Sequence, residues 1–294
     1  MSVSDNFFDL EEQYSDYEKS RIAILRVPYE RSTSYERGTA NAPDAIMKAS
    51  QQVELYDIET GSEPYKMGIH TAKLLNFNDN QEPEVSLDSI ENEVSRLIDD
   101  GKFPVIIGGE HTITLGSYRA FHRKYDELTC VSLDAHSDLR DSYQGSKYSH
   151  ACVMRRISEL SKPILIGIRS MDKREMDFKM DNGITILYAD EIINNPGIIE
   201  SLKDQMGARV YLSIDMDVFD PSYVPGVGTP EPGGLDWFQI LDIIKALNTW
   251  AEIVGFDIVE LLPSTNQVRS DFLAAKLLYK ILSYHFSSKQ FVTK

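Results

Sequence analysis

Acidic and histidine side chains recur at every second position in two short segments: Asp134, His136 and Asp138 in VSLDAHSDLR, and Asp215 and Asp217 in YLSIDMDVFD. In an extended backbone alternate side chains share a face, so each set forms a row of donor atoms. Both rows follow apolar runs that read as buried strands, where unpaired carboxylates are costly unless something positive lies among them. A pair of divalent metal ions meets that need. His111, behind Gly108 and Gly109, brings the donor set to four aspartates and two histidines. The four carboxylates cancel two divalent charges. Oxygen-rich ligation with two imidazoles and no thiolate favours Mn2+ over structural Zn2+, and two metals sharing one water lower its pKa toward neutrality. Taken singly, His111 also reads as a helix N-terminal residue and Asp-x-Asp as an Asx-turn or cap. The Asp134-x-His136-x-Asp138 row resists such a reading, because three ionisable groups on one face repel or desolvate one another without a cation.

The elements that must position these residues are short apolar runs: Ile22 to Val27, Pro104 to Ile107, Leu128 to Leu133, Pro163 to Ile168, Ile184 to Tyr188, Val210 to Ile214 and Ile253 to Val259. Being nearly continuous rather than alternating, they read as strands buried on both faces. Between them lie helical stripes: Ile90, Val94, Leu97 and Ile98, stopping at Gly101; Ile240, Ile244 and Leu247; and Val268, Phe272, Ala275, Tyr279 and Leu282. The alternation predicts an α/β fold, a central parallel sheet with helices on both faces. Ligands of such sheets bind beyond the carboxyl ends of the strands, where His111 and both rows fall. The stretch from Pro221 to Gly234 is a long Pro/Gly-constrained loop directly after the second row.

With no linker-like composition, residues 21–294 read as one catalytic domain behind an acidic N-terminal segment, residues 1–20. The balance of 30 basic against 46 acidic residues, a net charge of −16, argues against nucleic acid or anionic membrane as partners and favours small cationic molecules. The N-terminus lacks the basic start and apolar core of a secretory signal, and no apolar run approaches membrane-spanning length. Two cysteines suggest no disulfide framework, so a cytoplasmic enzyme is expected. Of the six histidines, His70, His122 and His285 lie outside the motifs and are expected to be surface or packing residues.

Three ordered motifs, GGEHT (Gly108 to Thr112), SLDAHSDLR (Ser132 to Arg140) and SIDMDVFDPSYVPGVGTPEPGG (Ser213 to Gly234), together with YERSTSYERGTANAPDAI and IVGFDIVEL, resemble the ureohydrolase family, the arginases and agmatinases, over roughly residues 27 to 280. The resemblance implies the three-layer arginase-like fold and two Mn2+ per subunit, held by His111, Asp134, His136, Asp138, Asp215 and Asp217. By the same likeness His150, in KYSHACVMRR, is the loop histidine that shuttles protons, and Glu231, in GTPEPGG, grips the guanidinium. Prolines and glycines around Glu231 fix its loop, as a positioning residue needs. Asp138 is then the immediate donor to the leaving amine. Assembly as a homotrimer or homohexamer is also implied.

The expected reaction is hydrolysis of a guanidino group to urea and an amine. Arginases carry a Ser/Asn-bearing stretch for the amino-acid head, which LRDSYQGSKYSH does not match, so agmatine, giving putrescine and urea, is the leading substrate. Arg140 leaves open a guanidino acid such as guanidinobutyrate, unless it is tied to Asp141, Asp172 or another subunit. Aminopropylagmatine and arginine are further alternatives. More distant ones are a two-metal phosphoesterase, which needs more downstream histidines than this chain has, and a catalytically silent metal-binding relative.

Overall fold

The computed structural model describes residues 5–78, 81–264 and 268–287. Residues 1–4 of the acidic segment and 288–294 of the expected catalytic domain lie outside the described residues. Eight strands form one sheet: β1 (Ile22–Val27), β2 (Ile69–Thr71), β3 (Phe103–Gly108), β4 (Leu128–Leu133), β5 (Ile164–Ile168), β6 (Thr185–Tyr188), β7 (Arg209–Asp215) and β8 (Glu252–Val259). Their order across the sheet is β2-β1-β3-β8-β7-β4-β5-β6, and every pairing is parallel. The seven expected strands are present within a residue or two of their expected ends. The one not anticipated, β2, is a three-residue edge strand whose IHT sequence is too short to carry a period.

The helices are α1 (Glu12–Ser15), α2 (Ala42–Ser50), α3 (Pro83–Asp99), α4 (Ile113–Lys124), α5 (Val153–Ile157), α6 (Lys173–Asn182), α7 (Ala189–Asn194), α8 (Trp237–Trp250) and α9 (Arg269–Ser287). They bury two separate cores. Strand residues of one parity, such as Ile22, Ile24, Val105 and Ile107, pack with α2, α7, α8 and α9. Those of the other, such as Ala23, Leu25 and Ile106, pack with α3, α4 and α5. This is the expected arrangement of helices on both faces, and it explains the continuous apolar runs: alternate side chains enter different cores. Phe7 and Phe8 also reach the first core. Gly101, in the left-handed conformation at φ 72°, closes α3 as the stripe predicts.

The last helical stripe needs correction. Val268 precedes α9, and Val268 and Phe272 are 68% and 43% exposed. Ala275, Tyr279 and Leu282 are fully buried, but so is most of the helix, because α9 is enclosed by α2, α8 and β8. A helix buried around most of its circumference carries no single diagnostic stripe. No helix among the described residues is long and apolar enough to cross a membrane.

One close approach ties the fold to the chemistry. Gly109, just past β3, hydrogen-bonds to Val27 O (3.0 Å), and a Cβ at this position would lie 2.1 Å from the Tyr29 carbonyl oxygen. Only glycine lets the β1 and β3 loops touch here. Gly109→Ala is expected to destabilise the fold by about 1–3 kcal/mol, as backbone overpacking does, and to lower metal content with it. Urea unfolding and metal analysis of the purified variant check both.

Candidate metal centre

Four neighbouring strands in the middle of the sheet, β3, β8, β7 and β4, deliver the site from their carboxyl ends. His111 follows β3, Glu260 follows β8, Asp215 ends β7 with Asp217 just beyond, and Asp134 follows β4. Strand alternation explains less of this than the sequence suggests. β4 stops at Leu133, so Asp134, His136 and Asp138 all lie beyond it, and Asp217 sits in the single turn Met216–Val218. Asp138 has φ 51°, a left-handed conformation unusual outside glycine, and this turns its carboxylate toward His111.

Local hydrogen bonds aim the other carboxylates. Asp134 Oδ1 accepts from the His136 amide at 2.6 Å and Asp215 Oδ1 from the Asp217 amide at 2.9 Å. These are the turn and cap interactions that the plainer reading offers. Each occupies one oxygen, and the other is left for the centre: Asp134 Oδ2, Asp138 Oδ2 and Asp215 Oδ2 stand 3.1, 3.1 and 3.4 Å from His111 Nδ1. Asp217 is held likewise, with Oδ1 on the Ala135 amide (3.0 Å) and Oδ2 2.9 Å from His136 Nδ1.

The chemistry of the donors fits divalent ions. Two overlapping groups, His111–Asp134–Asp215 and Asp134–His136–Asp217, each bring their ligand atoms within 4.8 Å of one another. His111 Nδ1 and Asp134 Oδ2 are buried and have no hydrogen-bond partner. Beneath them Asp257 accepts from Ser213 Oγ (2.7 Å), Thr114 Oγ1 (2.8 Å) and Tyr211 Oη (2.6 Å). Ser213 has one hydrogen and gives it to Asp257, so its oxygen receives the N–H of His111 Nε2 at 2.9 Å. That leaves the Nδ1 lone pair facing three carboxylates, the arrangement of a metal-ligating imidazole with its partner behind it.

Without a cation the electrostatics are strained. Burial raises Asp134 to about 7, reinforced by Asp138 and Asp217, and raises Asp215 well above the ordinary range. Burial opposes charge on His136 but is outweighed by Asp217 and Asp134, which raise it to about 10; the contacts to Asp134, Asp138 and Asp215 likewise carry His111 well upward against its burial. Asp217 is held low, its burial overcome by His136 and the Ala135 amide.

Of the remaining expected residues, His150 borders an open pocket of about 290 Å3 above this cluster, with Arg140 and Glu260 also in its wall, whereas Glu231 is not among the lining residues. His150 contacts Ser32 and Ser34, 3.1 Å from Nδ1 and 2.9 Å from Nε2. Glu231 Oε1 lies 3.8 Å from His136 Nε2. Arg140 is tied to Asp172 (3.2 Å) and Glu175 (3.7 Å). The other three histidines have packing or local contacts: His70 with Ser15 O, His122 stacked on Tyr118, His285 on Phe103.

Sequence reasoning did not find Asp257, Ser213, Glu260 or Arg169. Ser213 opens the SIDMDVFDPSYVPGVGTPEPGG motif and Asp257 and Glu260 lie in IVGFDIVEL, but neither spacing nor resemblance gives them a role there. Arg169 follows β5, and its guanidinium donates to Asp217 O (2.6 Å), Glu231 O (2.9 Å), Pro232 O (3.2 Å), Gly167 O (3.3 Å) and Phe219 O (3.3 Å). One side chain thus joins the second acidic row to the loop bearing Glu231. An isolated arginine carries no spacing signal for such a role.

Residues 20–283 match the arginase family model. The chain is 41% identical over 287 residues to an N(1)-aminopropylagmatine ureohydrolase of Synechocystis sp., covering 95% of this chain and 94% of that one. It is 34% identical over 281 residues to an agmatinase of Pyrococcus horikoshii, covering 94% and 95%. The crystal structure of the agmatine ureohydrolase of Thermoplasma volcanium superposes with a TM-score of 0.89 at 33% identity, covering 99% of this chain and 98% of that one.

Two outcomes follow from the electrostatics and the clamp. In the metal-free protein His136 stays protonated until pH nears about 10, and the stability this contributes is fully present below its unfolded pKa of about 6.5 and lost as pH rises through about 10. At pH 7 an entering divalent ion therefore displaces protons, and its affinity should rise by about tenfold per pH unit for each proton released. Titration calorimetry in buffers of different ionisation enthalpy measures that number; a value of zero contradicts it. Arg169→Lys, which loses the planar fork, is expected to weaken metal retention by about tenfold, measured by metal analysis after dialysis.

Proposed function

The chain belongs to the arginase family, and from that membership we propose that it hydrolyses the guanidinium of a small cationic alkylamine to urea and an amine. It is a hydrolase of carbon–nitrogen bonds in amidines, which sets aside the phosphoesterase reading. The observation that carries the site assignment is the unpartnered His111 Nδ1 among three buried carboxylates.

Two metal ions fit the donor set, and we assign them as Mn2+ because the donors are oxygen-rich with two imidazoles and no thiolate. His111, Asp134, Asp138 and Asp215 would hold one, and Asp134, His136 and Asp217 the other. Bound there, such ions supply Lewis acidity and bring the pKa of water toward neutrality. The chain's own residues do the rest. Glu231, with its loop held by Arg169, accepts paired N–H bonds from the guanidinium and sets the reacting carbon over the cluster. Asp138 hands a proton to the departing amine nitrogen, and His150 exchanges protons with solvent at the pocket mouth. The balance is one guanidinium and one water giving one urea and one alkylammonium.

Agmatine remains the leading substrate. Arg140 borders the pocket but is already paired with Asp172 and Glu175, which weighs against its serving a guanidinobutyrate carboxylate. A second reading, aminopropylagmatine, is favoured by the relative of that name at 41% identity. A cytoplasmic homotrimer or homohexamer formed by one catalytic domain completes the proposal; the absence of membrane-length apolar helices among the described residues is compatible with it.

Urea release by the manganese-loaded protein across agmatine, aminopropylagmatine, guanidinobutyrate and arginine tests the reading. One of the first two is expected to exceed both others in kcat/KM by at least about tenfold, the scale on which a mismatched polar end discriminates. Preference for arginine or guanidinobutyrate overturns the substrate assignment, and no urea from any of the four leaves the silent-relative reading standing.

A further inference from the structure

His150 stands at the start of the turn His150–Cys152 with both ring nitrogens engaged. Which nitrogen carries the hydrogen decides which atom can take up a proton, and the neighbouring hydroxyls settle it. Glu110 is fully buried. Its Oε2 accepts the backbone N–H groups of Arg31 and Ser32, and its Oε1 accepts the hydroxyls of Thr112 and Ser32, the latter at 2.7 Å. Surrounded by four donors, this carboxylate acts as acceptor only, so the single hydrogen of Ser32 is committed to it.

The Ser32 oxygen is then an acceptor toward everything else it touches. It receives the backbone N–H of His150 at 3.1 Å, and it lies 3.1 Å from His150 Nδ1. A hydrogen on Nδ1 turns that second contact into a hydrogen bond; a lone pair there would face another lone pair. On the other side of the ring Nε2 is 2.9 Å from Ser34 Oγ, which is itself 2.9 Å from Tyr143 Oη. We propose that Ser32, anchored by the buried Glu110, locks neutral His150 as the Nδ1–H tautomer, making Nε2, on the Ser34 and Tyr143 side, the atom that accepts and releases the proton.

The arrangement accommodates both protonation states without moving a heavy atom. In the neutral ring the Ser34 hydrogen points to Nε2. When Nε2 gains a proton it donates to Ser34, and Ser34 Oγ then donates to Tyr143 Oη. The Nδ1–H stays on Ser32 throughout. Ser32 and Glu110 are thus positioning residues that act through His150, and the inference rests on His150 being the proton-handling group of the proposed reaction.

Nitrogen NMR of 15N-histidine-labelled, zinc-loaded protein tests the assignment, with the His150 signals identified by their loss in His150→Ala. A protonated Nδ1 and an unprotonated Nε2 are expected in the neutral ring; the reverse overturns the proposal. In Ser32→Ala the tautomer preference should be lost and kcat should fall by about tenfold, a modest share of what general acid–base groups contribute, with KM and metal content unchanged. Ser32→Thr, which keeps the hydroxyl, should restore both. In a His150→Ala background Ser32→Ala should cost nothing further; an equal loss there would make Ser32 merely structural and sink the idea. Should Ser32→Ala not fold, the wild-type spectrum and Ser32→Thr still decide. The spectrum is read on the resting protein, so it stands apart from which guanidine, if any, yields urea.

Discussion

Negative charge buried without a fixed cation governs this structure. Asp134, Asp138, Asp215 and Asp217 are each 6% exposed or less, and among the described residues their ion pairs are made only with His111 and His136. Among the described residues no lysine or arginine pairs with any of the four carboxylates. Carboxylates so placed must take up protons or metal ions, and the upward displacement of Asp134, Asp215, His111 and His136 is the protein's response when only protons are at hand. The cluster is in this sense a preformed receptacle, and the surrounding fold serves to keep it from relaxing.

It is kept from relaxing by hydrogen-bond arithmetic rather than by bulk packing. Each aspartate that uses one oxygen on a local amide has only the other to present. Each histidine whose outer nitrogen faces a committed hydroxyl has only the inner lone pair to offer. Asp257 imposes this on His111 through Ser213. Arg169 extends the same logic to the backbone, gathering the carbonyls of Asp217 and Glu231 onto one planar group. A guanidinium suits the task because its donors lie in a fixed fork.

Sheet topology supplies the convergence. The carboxyl ends of β3, β8, β7 and β4 are adjacent although the strands are far apart in the chain, so loops more than a hundred residues apart meet over a span of four strands. With strands about 4.8 Å apart, that span is about the size of a two-ion centre and its pocket. Arg140, for which the sequence offers either a substrate carboxylate or a structural partner such as Asp172, is drawn to the start of α6, where Asp172 and Glu175 form a capping box.

Much of the molecule was legible without coordinates. Residue type and spacing determined the alternation of buried strands and helices, the carboxyl-end location of the chemistry and the six clustered donor residues, because hydrophobic period and side-chain charge are local properties of the chain. The edge strand β2, the enclosure of α9, the positive φ that turns Asp138 inward and the partners Asp257, Ser213, Glu260, Glu110 and Arg169 were decided only by the tertiary structure. Each depends on which distant segment lies alongside. Whether an aspartate caps a turn or faces a cation is likewise settled by what occupies its second oxygen, and that atom meets its neighbours only once the sheet has assembled.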